Sequence, residues 1–384
     1  MIPYGRQSIS DADVKAVVEV LRSDFLTQGP QVPRFERAVL DVCGARHAIA
    51  VNSATSALHI ACLALGLGPG DTLWTVPNTF VASSNCALYC GARVDFVDID
   101  ERTYNMSVEA LETKLTVAKR NGALPKVVVP VHFAGQSCDM AAIARLAGKY
   151  GFRVIEDASH AIGGDFLGKP VGDCSFSDIT VFSFHPVKIV TTAEGGMAVT
   201  NDATLARRME LLRTHGITRS KPELSAGHDE QWYYEQIDLG FNYRMTELQS
   251  ALGVSQMTRL SDFIARRREI ARRYDEELAA LPLRLPYQHP DAGSAFHLYV
   301  VQVEGGAIER KKLFDHLRAA GIGVNVHYIP VHTQPYYRRL GFRPGQFPVA
   351  EAYYASALSI PVYFGMTNDD QTEVIRQLEK GLRA

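Results

Sequence analysis

Lys188 closes the segment Ser183-Phe184-His185-Pro186-Val187-Lys188 and is followed by the glycine-rich Thr191-Thr192-Ala193-Glu194-Gly195-Gly196. Most lysines sit idle in solvent. One that follows a buried strand and a proline turn is a candidate for the lowered pKa that Schiff-base chemistry needs. A carboxylate, Asp157, lies in Glu156-Asp157-Ala158-Ser159-His160-Ala161 at the end of another β-rich run. At the C-terminal edge of a central strand it would point into the crevice where open α/β sheets bind ligands, or it would simply cap the next helix. Asn52-Ser53-Ala54-Thr55-Ser56-Ala57 runs from a strand into small and hydroxyl residues that open a helix, which suits a phosphate and equally suits a plain cap. Pro77-Asn78-Thr79-Phe80 ends a further strand with an aromatic ring, either core or a stacking platform.

Phosphate cup, ring, carboxylate and lysine, in that chain order, meet the needs of one cofactor, pyridoxal phosphate. The elements that must position them alternate. Runs with β character at Ala48–Asn52, Thr72–Val76, Val94–Asp98, Val127–His132, Arg153–Asp157, Ile179–Phe184 and Met197–Thr200 are separated by stretches of helical periodicity such as Ser56–Leu65 and Met140–Tyr150. That alternation predicts βαβ units, hence an α/β fold with a mostly parallel central sheet covered on both faces. An amphipathic helix over 11–22, capped by Ser10, precedes them.

Beyond Thr246 the pattern changes. Residues 246–281 read as a long helix or a broken pair whose charged run, Arg266-Arg267-Arg268 through Glu277, is expected to be a solvated face. Pro282, Pro286 and Pro290 mark a linker. A strand (Phe296–Val303), a helix (Glu309–Ala320), a strand (Gly323–Tyr328) and helices near 347–358 and 368–382 then predict a smaller C-terminal α+β domain. The expected division is 1–245, a large cofactor-binding domain with an N-terminal arm, and 246–384, a connecting helix and the small domain.

Composition narrows the function further. The 384 residues hold 40 Lys plus Arg against 42 Asp plus Glu, a net charge of −2, so no polyanion-binding surface and no nucleic-acid partner is expected. Apolar runs break before membrane-spanning length, and Met1–Ser10 lacks a basic start followed by an apolar stretch, so a cytoplasmic protein is expected. Six cysteines, none in a CxxC pair, read as buried reduced thiols, and no metal site is expected.

The order and spacing of these segments resemble the fold-type I, DegT/DnrJ/EryC1/StrS family of nucleotide-sugar aminotransferases. The likeness runs from Tyr4 to the terminal helices. Its most specific pieces are Glu156–Ala161, Ser183–Lys188, and Gly240-Phe241-Asn242-Tyr243-Arg244-Met245 followed by Glu247-Leu248-Gln249. The resemblance implies that Lys188 forms the Schiff base and Asp157 faces the pyridinium nitrogen. It implies that Ala54, Thr55 and Ser183 hold the phosphate, that Phe80 stacks on the ring, and that His160 lies near the phenolic oxygen. Asn242 would reach the phosphate of a neighbouring subunit, since family members are homodimers with composite sites. Within the family, Ile2–Ile9, Leu26–Pro30 and Val326–His332 look most like the pseudaminic-acid branch, which aminates C4 of a UDP-linked 4-keto-6-deoxy-N-acetyl-hexosamine with L-glutamate as donor. Tyr4, Phe25, Leu26, Thr27, His327 and Tyr328 would then line the sugar site.

Other readings of the same pattern separate on single residues. A same-fold dehydratase would carry histidine in place of Lys188, and a non-catalytic sugar-nucleotide sensor would be expected to lack Asp157 or Lys188. An aminotransferase for a different 3- or 4-keto sugar linked to UDP, dTDP or GDP has no such discriminating residue.

Overall fold

A computed structural model describes residues 1–225 and 230–383. The alternating runs become strands β1 (His47–Val51), β2 (Thr72–Thr75), β3 (Arg93–Phe96), β4 (Val127–Val128), β5 (Arg153–Asp157), β6 (Ile179–Ser183) and β7 (Gly196–Thr200). They form one seven-stranded sheet in the order β1-β7-β6-β5-β4-β2-β3. Only β7 runs against its neighbours; β6, β5, β4, β2 and β3 pair in parallel. Successive residues of β6 are all buried, as a strand covered on both faces requires. Ile179 and Val181 join one apolar layer with Leu58, Val127 and Ile155, while Phe182 joins the other with Phe35, Phe184 and Met197.

The C-terminal part holds a three-stranded antiparallel sheet, β8 (Leu283–Arg284), β9 (Tyr299–Val303) and β10 (Ala357–Ile360), in that order. Tyr274, Tyr299, Leu317 and Leu378 share its core with helices Leu260–Glu277, Ala307–Ala319 and Asn368–Arg383. The helix Glu247–Met257, which opens the second of the two expected units, packs against helices Asp11–Leu21 and Gln31–Cys43 of the first.

Residues 246–281 are the broken pair of the two forms expected, Glu247–Met257 and Leu260–Glu277, interrupted at Thr258 and Arg259. Other expectations need correction. The charged run on the second helix is not all solvated: Arg267 is buried and donates to the carbonyls of Phe296, His297 and Val362. Gly323–Tyr328 is not a strand. It makes single bridges, Ile322 to Ile2 and Asn325 to Ser359, because Tyr328 peels away to hydrogen-bond Asn78 of the large sheet region. The run 347–358 divides into helix Pro348–Ser356 and the opening of β10, whose short apolar sequence is ambiguous until β9 pairs with it. The segment Val127–His132 keeps only two strand residues, because Pro130 cannot donate to a ladder. All six cysteines are buried and free.

The first helix is pinned by one carboxylate. Asp13 completes a capping box with Ser10 and also accepts from Ser255 Oγ at 2.6 Å, Gln256 Nε2 at 2.8 Å and the Arg259 guanidinium. Burial opposes its charge, but the hydrogen bonds from Ser255, the Ser10 amide and Gln256, together with Arg259, outweigh it and hold the carboxyl below its usual value. Asp13→Ala strands three polar partners and should cost about 3 kcal/mol in urea unfolding at pH 7. A depressed carboxyl stabilises the fold above its unfolded pKa, and that contribution fades as pH falls through the lower folded value. The gap between parent and variant should therefore close as pH drops below about 4.

Candidate active site

The C-terminal ends of β5 and β6 and the N-terminus of helix Ala54–Ala64 meet at a cavity of about 460 Å³. This is where parallel α/β sheets place ligands. Tyr4, Ala54, Thr55, Phe80, Asp157, His160, Ser183, Lys188, His327 and Tyr328 all line it, although they come from widely separated parts of the chain.

Lys188 sits in a turn closed by its own amide on the His185 carbonyl, while Thr192 N–H returns to Phe184 O. Desolvation lowers its pKa to about 8, with the nearby charge of Asp157 opposing the shift. The amine is thereby kept partly neutral at physiological pH, the state a nucleophilic lysine needs. Both oxygens of Asp157 accept hydrogen bonds: Oδ2 from Ser83 Oγ at 2.6 Å, Oδ1 from Ser159 Oγ at 2.5 Å and Ser159 N at 3.2 Å. Thr79 Oγ1 lies 2.7 Å from Ser83 Oγ and extends this support. Asp157 therefore does what a local turn residue does, through Ser159, while its second oxygen is held from across the sheet.

Ser53 caps the helix by accepting from Ser56 N, which leaves the first-turn amides of Ala54 and Thr55 without intrahelical acceptors. The start of β7 lies directly behind them. A Cβ on Gly196 would fall 2.4 Å from Ala54 N, so only glycine permits that approach. Phe80 is 59% exposed in spite of its ring, as a wall waiting for a flat ligand would be.

The third wall is imidazole and phenol. His160 Nε2 lies 3.2 Å from Tyr328 Oη, and the two rings stack 6.2 Å apart at 20°. His327 Nδ1 lies 2.8 Å from Ser359 Oγ, and Tyr353 Oη donates to the His327 carbonyl. Burial, reinforced by Lys188, drives His160 well below the usual imidazole value and His327 down to about 4, while burial raises the Tyr328 phenol. The N-terminal arm adds Tyr4: Ile2 pairs with the C-terminal part of the chain through Gly321 O and Gly323 N, and Val362 N–H reaches Tyr4 O.

Four expected residues lie elsewhere. Phe25, Leu26, Thr27 and Asn242 do not line this cavity in their own chain. They belong to one surface, where Thr27 bridges Thr246, Glu247 N–H donates to Leu26 O, and Asn242 bridges Thr214. Phe25 and Leu26 are exposed on it. Conversely, sequence reasoning missed Ser83, Ser159 and Thr79. The Thr79–Ser83 spacing of four, one helical turn, was the available signal.

These donors and this geometry fit pyridoxal phosphate: free amides and Ser183 for a phosphate, a ring wall, a braced carboxylate, and a desolvated lysine. The match is family-wide. The DegT/DnrJ/EryC1/StrS aminotransferase family model covers residues 7–379.

The chain belongs to that family.

It is an aminotransferase. Among its relatives, the Bacillus subtilis spore coat polysaccharide biosynthesis protein SpsC is 40% identical across 99% of this chain and 97% of its own. The Campylobacter jejuni UDP-4-amino-4,6-dideoxy-N-acetyl-beta-L-altrosamine transaminase is 37% identical across 96% and 94%. Helicobacter pylori PseC, an aminotransferase of pseudoaminic acid biosynthesis, superposes with a TM-score of 0.91 at 31% identity, covering 100% of this chain and 99% of that one. The putative sugar aminotransferase Spr1654 of Streptococcus pneumoniae, in its PLP form, gives 0.89 at 28% identity, covering 100% and 98%. No helix of the described residues is long and apolar enough to cross a membrane, and none of their His, Cys, Asp or Glu groups is placed to hold a metal ion.

The burial of Lys188 is directly testable. In the protein freed of cofactor, the reactivity of Lys188 toward an amine-directed reagent should reach half-maximum near pH 8, against about 10.4 for an ordinary lysine. Because the Asp157 charge raises the value, Asp157→Asn should move the midpoint lower still. Peptide-resolved labelling across pH reads both.

Proposed function

We propose that this enzyme transfers the amino group of L-glutamate to C4 of a UDP-linked 4-keto-6-deoxy-N-acetyl-hexosamine, in pseudaminic acid biosynthesis. Its broader chemistry is that of a sugar aminotransferase, and pyridoxal phosphate is its cofactor. The observation that carries the reading is the pairing, in one cavity, of a lysine lowered to about 8 with a carboxylate braced on both oxygens. The likeness to the Campylobacter transaminase and to PseC supports the finer substrate. The higher identity to SpsC favours a second reading, amination of a different keto nucleotide sugar.

When bound, pyridoxal phosphate supplies the electron sink that lets an amino group leave one carbon and join another. The chain's own groups do the rest. Lys188 takes the proton from the donor's Cα and returns a proton to the acceptor, which an amine near pKa 8 can do in both directions. Asp157, fixed by Ser83 and Ser159, pairs with a positive ring nitrogen. The amides of Ala54 and Thr55 and the Ser183 hydroxyl take the phosphate, and Phe80 covers a ring face. His160, kept neutral, sits beside the phenolic oxygen without adding charge. Tyr4, His327 and Tyr328 face the sugar. A net charge of −2 is no obstacle, since a diphosphate needs only a few local donors.

Asn242, Phe25, Leu26 and Thr27 are assigned to the cavity of a partner subunit in a cytoplasmic homodimer. Their position together on a surface outside their own cavity supports that assignment, as does the exposed apolar stretch of Trp232, Tyr234, Ile237 and Leu239.

With glutamate and a panel of keto sugars, the UDP-linked 4-keto sugar should be aminated and the free keto sugar should not. Remote nucleotide binding would be used to orient the carbonyl. Equal kcat/KM for the linked and free sugars would sink the nucleotide assignment. Preference for a dTDP or GDP sugar would replace it with the second reading.

Mixed dimers test the shared site. Lys188→Ala and Asn242→Ala proteins, each poorly active, should regain about a quarter of parental activity when co-refolded one to one, because random pairing leaves about a quarter of sites intact. If Asn242 serves its own chain, mixing restores nothing.

A further inference from the structure

Behind His160, outside the cavity lining, lies a second buried imidazole, His297. The ring centroids are 4.5 Å apart and the planes are tilted by 43°. His160 uses Nε2 toward Tyr328, yet its Nδ1 has no partner, and neither does Nδ1 of His297. A buried polar nitrogen left unpaired is costly, so two on neighbouring rings call for a shared partner. The chemistry allows it. A neutral imidazole has one N–H donor and one acceptor nitrogen, so one neutral ring can donate and the other accept through one water.

Both rings are neutral. Burial lowers each pKa well below the ordinary value. Lys188 and His327 act on both rings, and His160 and the Arg267 cation further disfavour charge on His297. The backbone holds them in place. Arg267 Nη1 donates to the carbonyls of Phe296 at 3.1 Å and His297 at 3.2 Å, fixing that segment to helix Leu260–Glu277. Ala295 N–H donates to Gly135 O and Leu298 N–H to Ala134 O. Gly135 is where the two histidine-bearing segments touch: at φ +108°, a Cβ there would lie 3.0 Å from His297 N and 3.1 Å from His160 O.

We propose that His297 is a positioning residue for the transamination: a hydrogen bond from His160 Nδ1–H to His297 Nδ1, bridged by one water, commits His160 to a single tautomer and ring plane. His160 Nε2 is then an acceptor, and the Tyr328 hydroxyl, kept protonated by its burial, donates to it. The cavity thus presents one fixed order of donors beside Lys188. This inference rests on the assignment of the cavity as the aminotransferase site, but its structural half can be read without turnover.

The test uses full-length protein labelled with 15N-histidine, with and without cofactor, the His160 signals being assigned from His160→Gln. The parent should show His160 as the Nδ1–H tautomer. His297→Phe, which keeps a flat ring and removes both nitrogens, should switch it to Nε2–H donating to Tyr328. His297→Asn, whose amide reaches the former Nδ1 position, should keep Nδ1–H, and His297→Gln, whose amide reaches the Nε2 position, should not. In kinetics, His297→Phe should lower kcat about tenfold, with KM for the amino donor within about twofold, and His297→Asn should recover most of the loss. An unchanged His160 tautomer in His297→Phe, or equal behaviour of the Asn and Gln variants, overturns the proposal. Should the Phe variant fail to fold, the Asn–Gln comparison decides alone. A tautomer that responds as expected while amination fails would count against the aminotransferase site and leave the hydrogen bond standing.

Discussion

A partly buried lysine amine, lowered by desolvation and facing a carboxylate, is the constraint around which this molecule is arranged. An isolated charge in such a place is expensive, and proteins respond by shifting the pKa or supplying partners. Here both responses are visible. Lys188 is lowered to about 8, and Asp157 is given hydroxyl partners on each oxygen. The histidines nearby avoid adding positive charge by staying neutral, and Tyr328 stays protonated because burial penalises the phenolate. The cavity therefore carries few net charges of its own and can receive an anionic cofactor and an anionic substrate.

Topology delivers those groups to one point. Parallel β5 and β6 end at the same edge, so Asp157 and Ser183 come from adjacent strands and Lys188 from the turn just beyond. The single reversed strand, β7, returns the chain so that Gly196 backs the first-turn amide of Ala54. The C-terminal part of the chain closes the other side. From there Tyr328 reaches Asn78 and His160, His327 is held by Ser359, and the N-terminal arm crosses over to place Tyr4.

Burial of Arg267 belongs to the same arrangement. A cation without a carboxylate partner, lowered to about 10 by its burial, would be a liability in an ordinary core. Three backbone carbonyls satisfy part of it here, and they bind helix Leu260–Glu277 to the segments that carry His297 and Val362. The C-terminal part is thus knit together by directional bonds as well as by apolar packing, which steadies the segments that carry His297 and Val362.

Local pattern by itself determined the alternating elements, because periodicity and caps act over a few residues: Ser10 and the helix it caps, Arg153–Asp157, Met140–Tyr150 and the turn at Lys188 are all legible that way. It also pointed to the chemistry, since a lysine after a buried strand and a carboxylate at a strand end are local facts. Tertiary structure decided what depends on distant partners. Whether Gly323–Tyr328 pairs as a strand, whether Ala357–Ile360 joins a sheet, and whether Arg267 meets water or three carbonyls depends on contacts tens to hundreds of residues away. Ser83 bracing Asp157 and His297 facing His160 belong to this second class. Hydrogen bonds and ring contacts require positions correct to fractions of an ångström, and only the assembled sheet and its two flanking layers set those positions.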